Sequence, residues 1–254
     1  MGTRVTTSHD SELLFKNVRI LDREPVRIVQ APFQARHRRA LVNLLRVVNP
    51  GPAALARYLS QRGEYPWTVE LRTPTGPVTV TLYSRHDLLT VNEIFCRGDY
   101  GSQAPGLVMD VGANIGLAAL FWLTRRSDSR VWCYEPDPAN IGRLRHTLVG
   151  YEDRYELVQA AVGTAPGRAR FAAHGRYGRL DEGGDIEVEV VALADEVARV
   201  EALVGRLDLV KLDTEGTEAE LLASLEQAGH PEVFWEDREG HVHRTPSSRT
   251  IGVT

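Results

Sequence analysis

From Leu107 onward, short apolar runs alternate with stretches of helical spacing, and this alternation constrains the fold more than any other feature of the chain. Strands are read at Leu107–Val111, Val131–Tyr134, Tyr155–Val162, Glu187–Leu193, Leu207–Leu212 and Val233–Trp235. Helices are read at Leu117–Arg125, Ala139–Leu148, Ala194–Val204 and Thr217–Ala228. Consecutive strands that each feed a helix pair in parallel, are buried on both faces, and cross over with a right hand. The expected fold class is α/β: a doubly wound, mostly parallel, Rossmann-like sheet.

The first hundred residues read differently. Ala35–Val48 has helical spacing, Asn49-Pro50-Gly51-Pro52 stops it, and Ala53–Ser60 is a second short helix. Thr68–Arg72 and Val78–Tyr83 alternate around Pro74-Thr75-Gly76-Pro77 as a hairpin, and Asp87–Cys96 reads as a helix. The expected organisation is an accessory region over 1–84 that caps a ligand-binding domain over 85–254. Residues 1–63 hold 11 Lys or Arg against 4 Asp or Glu, whereas residues 181–239 hold 4 against 18. A basic arm of this kind suits an anionic ligand or nucleic acid; Arg36, Arg38, Arg39 and Arg46 also suit the solvated face of one helix. Cys96 and Cys133 have no metal-ligand spacing, Met1–Asn17 lacks an apolar signal core, and Asp110 and Asn114 interrupt the longest apolar run. The expectation is a soluble cytoplasmic protein with no membrane partner.

Three strand ends carry the chemistry. The first ends in Asp110-Val111-Gly112-Ala113-Asn114-Ile115-Gly116. Glycines at a strand-to-helix turn admit a ligand close to the backbone. A dinucleotide fingerprint has glycine where Asn114 stands, and Asp110 disfavours a pyrophosphate while suiting an ammonium group. The second strand ends in Tyr134-Glu135-Pro136-Asp137, with Glu135 at the spacing of an acid that accepts from both hydroxyls of a ribose. The third runs Lys211-Leu212-Asp213-Thr214-Glu215-Gly216-Thr217-Glu218. Strand alternation puts Lys211 and Asp213 on one face, and a buried lysine requires a carboxylate. Glu215 and Glu218 also suit the start of the following helix.

Together these segments resemble the FkbM-type methyltransferases. So do Asp87, Thr90–Phe95 and Gly98-Asp99-Tyr100 ahead of the first strand, and Ala160–Gly163 with Gly167 after the third. The resemblance spans roughly Leu82–Glu236 and implies a class I methyltransferase sheet with S-adenosylmethionine as cofactor. It implies that the amino-acid tail meets Asp110, Gly112, Ala113, Asn114 and Gly116, and the ribose meets Glu135 beside Pro136. Ala160 and Ala161 would lie beside the adenine, Asp213 near the sulfonium methyl, and Glu93 and Tyr100 would close over the tail. Asp213, Glu215 and Glu236 are then the candidate bases, with Lys211 orienting the carboxylate. The implied reaction is O-methylation of a small molecule or sugar in secondary metabolism.

Rival readings are a nicotinamide oxidoreductase, a non-catalytic partner subunit that keeps the nucleoside pocket, and an RNA methyltransferase using the basic arm. The pI near 6.1 argues against nucleic acid. No metal is expected; His230, His241 and His243, with Asp237 and Glu239, read as loop residues. Trp122, Trp132 and Tyr155 read as packing. The C-terminal end reads as abbreviated: Val242–Arg244 and Thr250–Val253 suggest only a hairpin, leaving an open sheet edge that a second copy would cover in a homodimer.

Overall fold

The computed structural model describes residues 35–172, 178–180, 183–214, 216–226, 231–237 and 241–248. Helix α1 (Ala35–Val47) turns Ala40 and Leu44 inward and leaves Arg38, Arg39 and Arg46 exposed, as one solvated face requires. A two-residue strand β1 (Val48–Asn49), helix α2 (Gly51–Ser60) and the hairpin β2 (Trp67–Thr73) and β3 (Gly76–Leu82) come next. The hairpin register runs from Trp67↔Leu82 to Thr73↔Gly76, and alternate residues Val69, Leu71, Val80 and Leu82 are buried.

The helix read over Asp87–Cys96 is two structures. Helix α3 (Arg85–Val91) starts at a capping box between Ser84 and Asp87. A π-helical turn over Asn92–Arg97 then widens it and ends at Gly98, whose φ of 74° is left-handed.

Among the described residues the main sheet has six strands: β4 (Leu107–Val111), β5 (Arg130–Tyr134), β6 (Tyr155–Val158), β11 (Leu209–Leu212), β12 (Glu232–Glu236) and β13 (Val242–Thr245). Their order is β13-β12-β11-β4-β5-β6, and all neighbours are parallel except the β12–β13 pair. The chain therefore winds outward through β4, β5 and β6, then returns to the other side of β4. That reversal opens a crevice beyond the carboxyl ends of β4 and β11.

Alternation along each strand feeds two cores. Val108, Val131, Cys133, Leu209 and Phe234 face helix α4 (Leu117–Leu123). Met109, Val111, Trp132, Tyr134, Val210, Leu212 and Val233 face helices α6 (Leu193–Val204) and α7 (Glu218–Glu226). Every residue of α4 is buried, because α4 lies between the sheet and the N-terminal elements. Leu44, Leu71, Leu82 and Leu88 belong to the same apolar cluster as Phe121 and Trp122, so packing is continuous across position 84. Trp132 is likewise buried in the second core and Tyr155 packs on the first.

Two strand readings need correction. Tyr155–Val162 is not one strand: the Val158 carbonyl accepts from the backbone N–H of both Glu135 (3.2 Å) and Ala160 (3.0 Å), and the chain turns there. Beyond this turn the chain builds a second, four-stranded sheet. It consists of β7 (Ala161–Gly163), β8 (Gly167–Ala172), β9 (Arg179–Leu180) and β10 (Ile186–Ala192), in the order β7-β10-β8-β9. The strand read at Glu187–Leu193 thus lies in this sheet and not in the main one. At the C-terminal end, Val242–Thr245 pairs with β12, with Glu236 opposite Val242; Thr250–Val253 lies outside the described residues.

The turn after β4 needs glycine for two separable reasons. Gly112 has a φ of 75°, and a Cβ there would lie 1.9 Å from the Asp213 carbonyl oxygen. Gly98 has nearly the same φ and nothing within 4 Å. Gly98→Ala should therefore cost about 1–2 kcal/mol, the conformational term alone. Gly112→Ala should cost at least about twice that, because backbone cannot yield. Urea midpoints of the two variants measure the difference.

Candidate active site

The in-register pairing of β4 with β11 places Lys211 directly beside Asp110, on the α4 side of the sheet. The Lys211 ammonium lies 3.0 Å from Asp110 Oδ1 and 3.3 Å from Asp213 Oδ2, and donates to the Gly112 carbonyl at 2.8 Å. Asp110 is 0% exposed and the Lys211 side chain 3%, whereas the Asp213 side chain is 33% exposed at the strand's end. Burial works against the Lys211 charge, but the two carboxylates outweigh it and hold its pKa well above the ordinary value. Burial pushes Asp110 upward, with Lys211 opposing. One cation between two carboxylates leaves a net negative charge, and Asp213 carries it to the crevice.

Two cavities meet at Gly112, Asn114 and Asp213. The first lies under the π turn. Glu93, Arg97, Asp99, Tyr100, Lys211, Asp213 and Glu236 line it, with Ala113 from the glycine turn. Arg97 is held by Asp99, its Nε donating to Oδ1 at 2.7 Å and Oδ2 at 3.0 Å. Tyr100 is 5% exposed and packs its ring against Phe121, Trp122 and Phe234, with centroids 6.1, 5.2 and 5.7 Å away. Burial raises its phenol pKa well above the usual range, and nearby Asp213, Asp110 and Glu236 add to this against Lys211.

Glu135, Pro136, Asn140, Ala160, Ala161, Phe171 and Leu180 line the second cavity. Glu135 is 4% exposed. Its Oε2 accepts from the Asn114 N–H at 2.7 Å and its Oε1 from the Asp137 N–H at 2.9 Å. Burial raises its pKa to about 7, although these donors and Asn140 pull it down. The glycine turn and the end of β5 are thereby tied together by the acid itself. A carboxylate has about four acceptor positions, so capacity remains for a further hydroxyl.

Most residues singled out in the sequence converge here, but not all do so as expected. Asp110 lines neither cavity: its neighbouring strands bury it beneath the turn, where it serves Lys211. Gly116, expected at the tail, caps α4 with a φ of 83°; a Cβ there would meet Leu144 at 3.0 Å, so it lets α4 approach helix α5 (Pro138–Thr147). Glu215 lies outside the described residues. Asn140, Phe171 and the Arg97–Asp99 pair were not anticipated. Asn140 has a signal in the first turn of α5, five residues beyond Glu135; Phe171 has none, because its sheet was not recognised. His243 stacks on Trp235 with centroids 4.4 Å apart and bonds Asp237 at 2.7 Å. Among the described residues no group of three His, Cys, Asp or Glu is placed to hold a metal. His230 and Glu239 lie outside them. No helix among the described residues is long and apolar enough to cross a membrane.

A doubly wound sheet with a glycine turn at its switch point and an acid at the end of the neighbouring strand is an arrangement that suits a nucleoside. Residues 110–241 match the methyltransferase FkbM domain, and the chain belongs to this methyltransferase family. It is 27% identical over 204 residues to the 31-O-demethyl-FK506 methyltransferase FkbM of Streptomyces tacrolimicus, covering 64% of this chain and 78% of that protein. It is 27% identical over 139 residues to the 2-O-methyltransferase NoeI of Sinorhizobium fredii, covering 46% of this chain and just over half, 56%, of that one. A crystal structure of methyltransferase FkbM from Methylobacillus flagellatus KT aligns with 18% identity and a TM-score of 0.37, over 54% of this chain and 34% of that chain.

Removing the cation exposes the dependence of the rim on it. Lys211→Met should destabilise the protein by about 3–5 kcal/mol at neutral pH, because Asp110 is left buried and unpaired. Part of this loss should be regained as pH falls, since Asp110, its pKa now raised further, binds a proton more readily folded than unfolded. The double variant Asp110→Asn/Lys211→Met should lose less than the single one. Urea unfolding at several pH values checks all three.

Proposed function

We propose that this chain is an S-adenosylmethionine-dependent O-methyltransferase acting on a hydroxyl of a small molecule or sugar. The observation that carries the reading is the net-negative Asp110–Lys211–Asp213 group, which presents its one accessible carboxylate where the two cavities meet. A sulfonium is positive, and its nucleoside and amino-acid arms call for two connected compartments. The lining fits such a group: beside the shared Asp213, the second cavity offers Glu135 as an acid for a ribose and Pro136, Ala160, Ala161 and Phe171 as apolar surface for a base. Glu135 would hold the ribose hydroxyls; Pro136, Ala160 and Ala161 would flank the base. Ala113, Asn114 and Glu93 would hold the amino-acid arm.

When bound, the cofactor supplies an electrophilic methyl group on sulfur. This chain's own residues do the rest. Asp213 takes the proton from the acceptor hydroxyl, and Lys211, 3.3 Å from its Oδ2, holds the carboxylate at the crevice. Glu236, on the neighbouring strand β12 and in the same cavity, is the second acid within the acceptor compartment. Tyr100 and its aromatic neighbours close the cavity floor against water. The first cavity carries Asp87, Glu93, Asp99, Asp213 and Glu236 against Arg97 and Lys211. That balance favours a neutral or cationic acceptor over a phosphate-bearing one, and so a small hydroxylated molecule over nucleic acid. The names of the two relatives, both O-methyltransferases, support transfer to oxygen.

Transfer of labelled methyl from S-adenosylmethionine into small-molecule cell extracts, with mass spectrometry of the labelled species, tests the reading. Labelling of RNA alone, or no labelling with cofactor bound, would overturn it. Asp213→Ala should lower transfer at least about a hundredfold. The affinity of the wild type for S-adenosylhomocysteine should fall as pH drops below about 7, by up to about tenfold per pH unit, because protonated Glu135 loses acceptor capacity. Glu135→Gln should bind more weakly at pH 8 and show little of that pH dependence. It should also be more stable than wild type above pH 7. A folded-state pKa raised above the unfolded 4.5 means that stability is lost as pH rises from about 4.5 to 7.

A further inference from the structure

The second sheet contributes Ala161 to the proposed cofactor site. It packs its own small apolar cluster of Ala161, Phe171, Val188 and Val190, separate from both main cores. Yet Ala161 and Phe171 of this cluster also line the second cavity, opposite the end of β5. Phe171 is 5% exposed, so its large ring is fixed in place. Two glycines clear the space around it. A Cβ on Gly178 would lie 2.4 Å from Phe171 Cζ, and one on Gly184 would lie 2.4 Å from the Phe171 backbone carbon. The ring tip thus occupies the volume that any other residue at 178 would fill. The lining residues packed beside the ring, Ala161, Gly178 and Leu180, have no polar side chain. Glu135 and Asn140 stand on the β5 and α5 side of the same cavity.

We infer that Phe171 is the aromatic wall against which the cofactor's purine packs, which makes the second sheet half of the nucleoside site. The inference rests on the cofactor proposed above. An apolar wall with one aromatic ring holds a flat heterocycle by burial and stacking, without hydrogen-bond readout. The acid on the other wall orients the ribose. Division of the site between two sheets also explains why the chain leaves the main sheet at Val158 and returns to it only at Leu209.

Titration calorimetry with S-adenosylhomocysteine, 5′-methylthioadenosine and methionine tests this on the full chain. Phe171→Leu keeps apolar volume and removes the aromatic face; it should weaken both nucleosides by about tenfold. Phe171→Trp should stay within about threefold of wild type, and methionine should be unaffected by either. Val188→Ala opens the same apolar cluster without touching the cavity lining, and should lower the melting temperature while leaving nucleoside affinity within about twofold. Gly178→Ala, which drives a methyl into the ring tip, should reproduce the loss with Phe171 still present. Wild-type affinity for both nucleosides in a folded Phe171→Leu protein, or in Gly178→Ala should Phe171→Leu not fold, would overturn the inference and leave the cofactor assignment intact. Failure of the wild type to bind either nucleoside would instead overturn the cofactor assignment.

Discussion

Lys211 is almost wholly buried between hydrophobic strands, so its charge must be met within the protein. The meeting is arranged by sheet register: β11 lies parallel to β4 with Lys211 opposite Asp110, so the two side chains share a face at 3.0 Å. The ammonium also takes the Gly112 carbonyl, which fixes the turn that leaves β4, and Asp213, which marks the end of β11. A single buried cation therefore ties together the switch point of the sheet, the glycine turn and the carboxylate at the crevice. Ion pairs of this sort are weak sources of stability, since desolvation cancels much of the attraction. Their effect here is positional: they set where one carboxylate emerges.

The same economy appears at Glu135. Its carboxylate is nearly buried, and burial lifts its pKa to about 7, yet it accepts from two backbone N–H groups on two different turns. The Asn114 bond joins the glycine turn to the end of β5, so the acid that would face a ribose also shapes the cavity around it. Two cavities meeting at Gly112, Asn114 and Asp213 result from these two acids and their partners. The N-terminal elements complete the first cavity. Their hairpin and helices bury Leu71, Leu82 and Leu88 against α4, and the π turn after them presents Glu93 and Arg97 to the site.

Where periodicity was strong, the fold was legible from residue order alone. The hairpin over 67–82, the strands at Leu107–Val111 and Arg130–Tyr134, and the helix after Asp137 all form where alternation, apolar runs or caps indicate. Local patterning misleads where a long-range bond redirects the chain. The stretch from Tyr155 to Val162, apolar but for Glu156 and Gln159, gives no hint that the Val158 carbonyl will be shared between Glu135 and Ala160 and split the strand. From that split come the second sheet and Phe171's place in the cavity wall. Asp110 was legible as an important acid but not as a buried one, because its exposure depends on which strand lies beside it.

The alternation of strand and helix, the glycine turn, and the acids at Asp110, Glu135 and Asp213 are written in residue order, because they depend on local periodicity and on residue chemistry. Which acid is buried with Lys211, which reaches the crevice, and which strands leave the main sheet to wall a cavity emerge only on folding. Those outcomes are set by strand order and register, and contacts between residues a hundred positions apart leave no trace in local patterning.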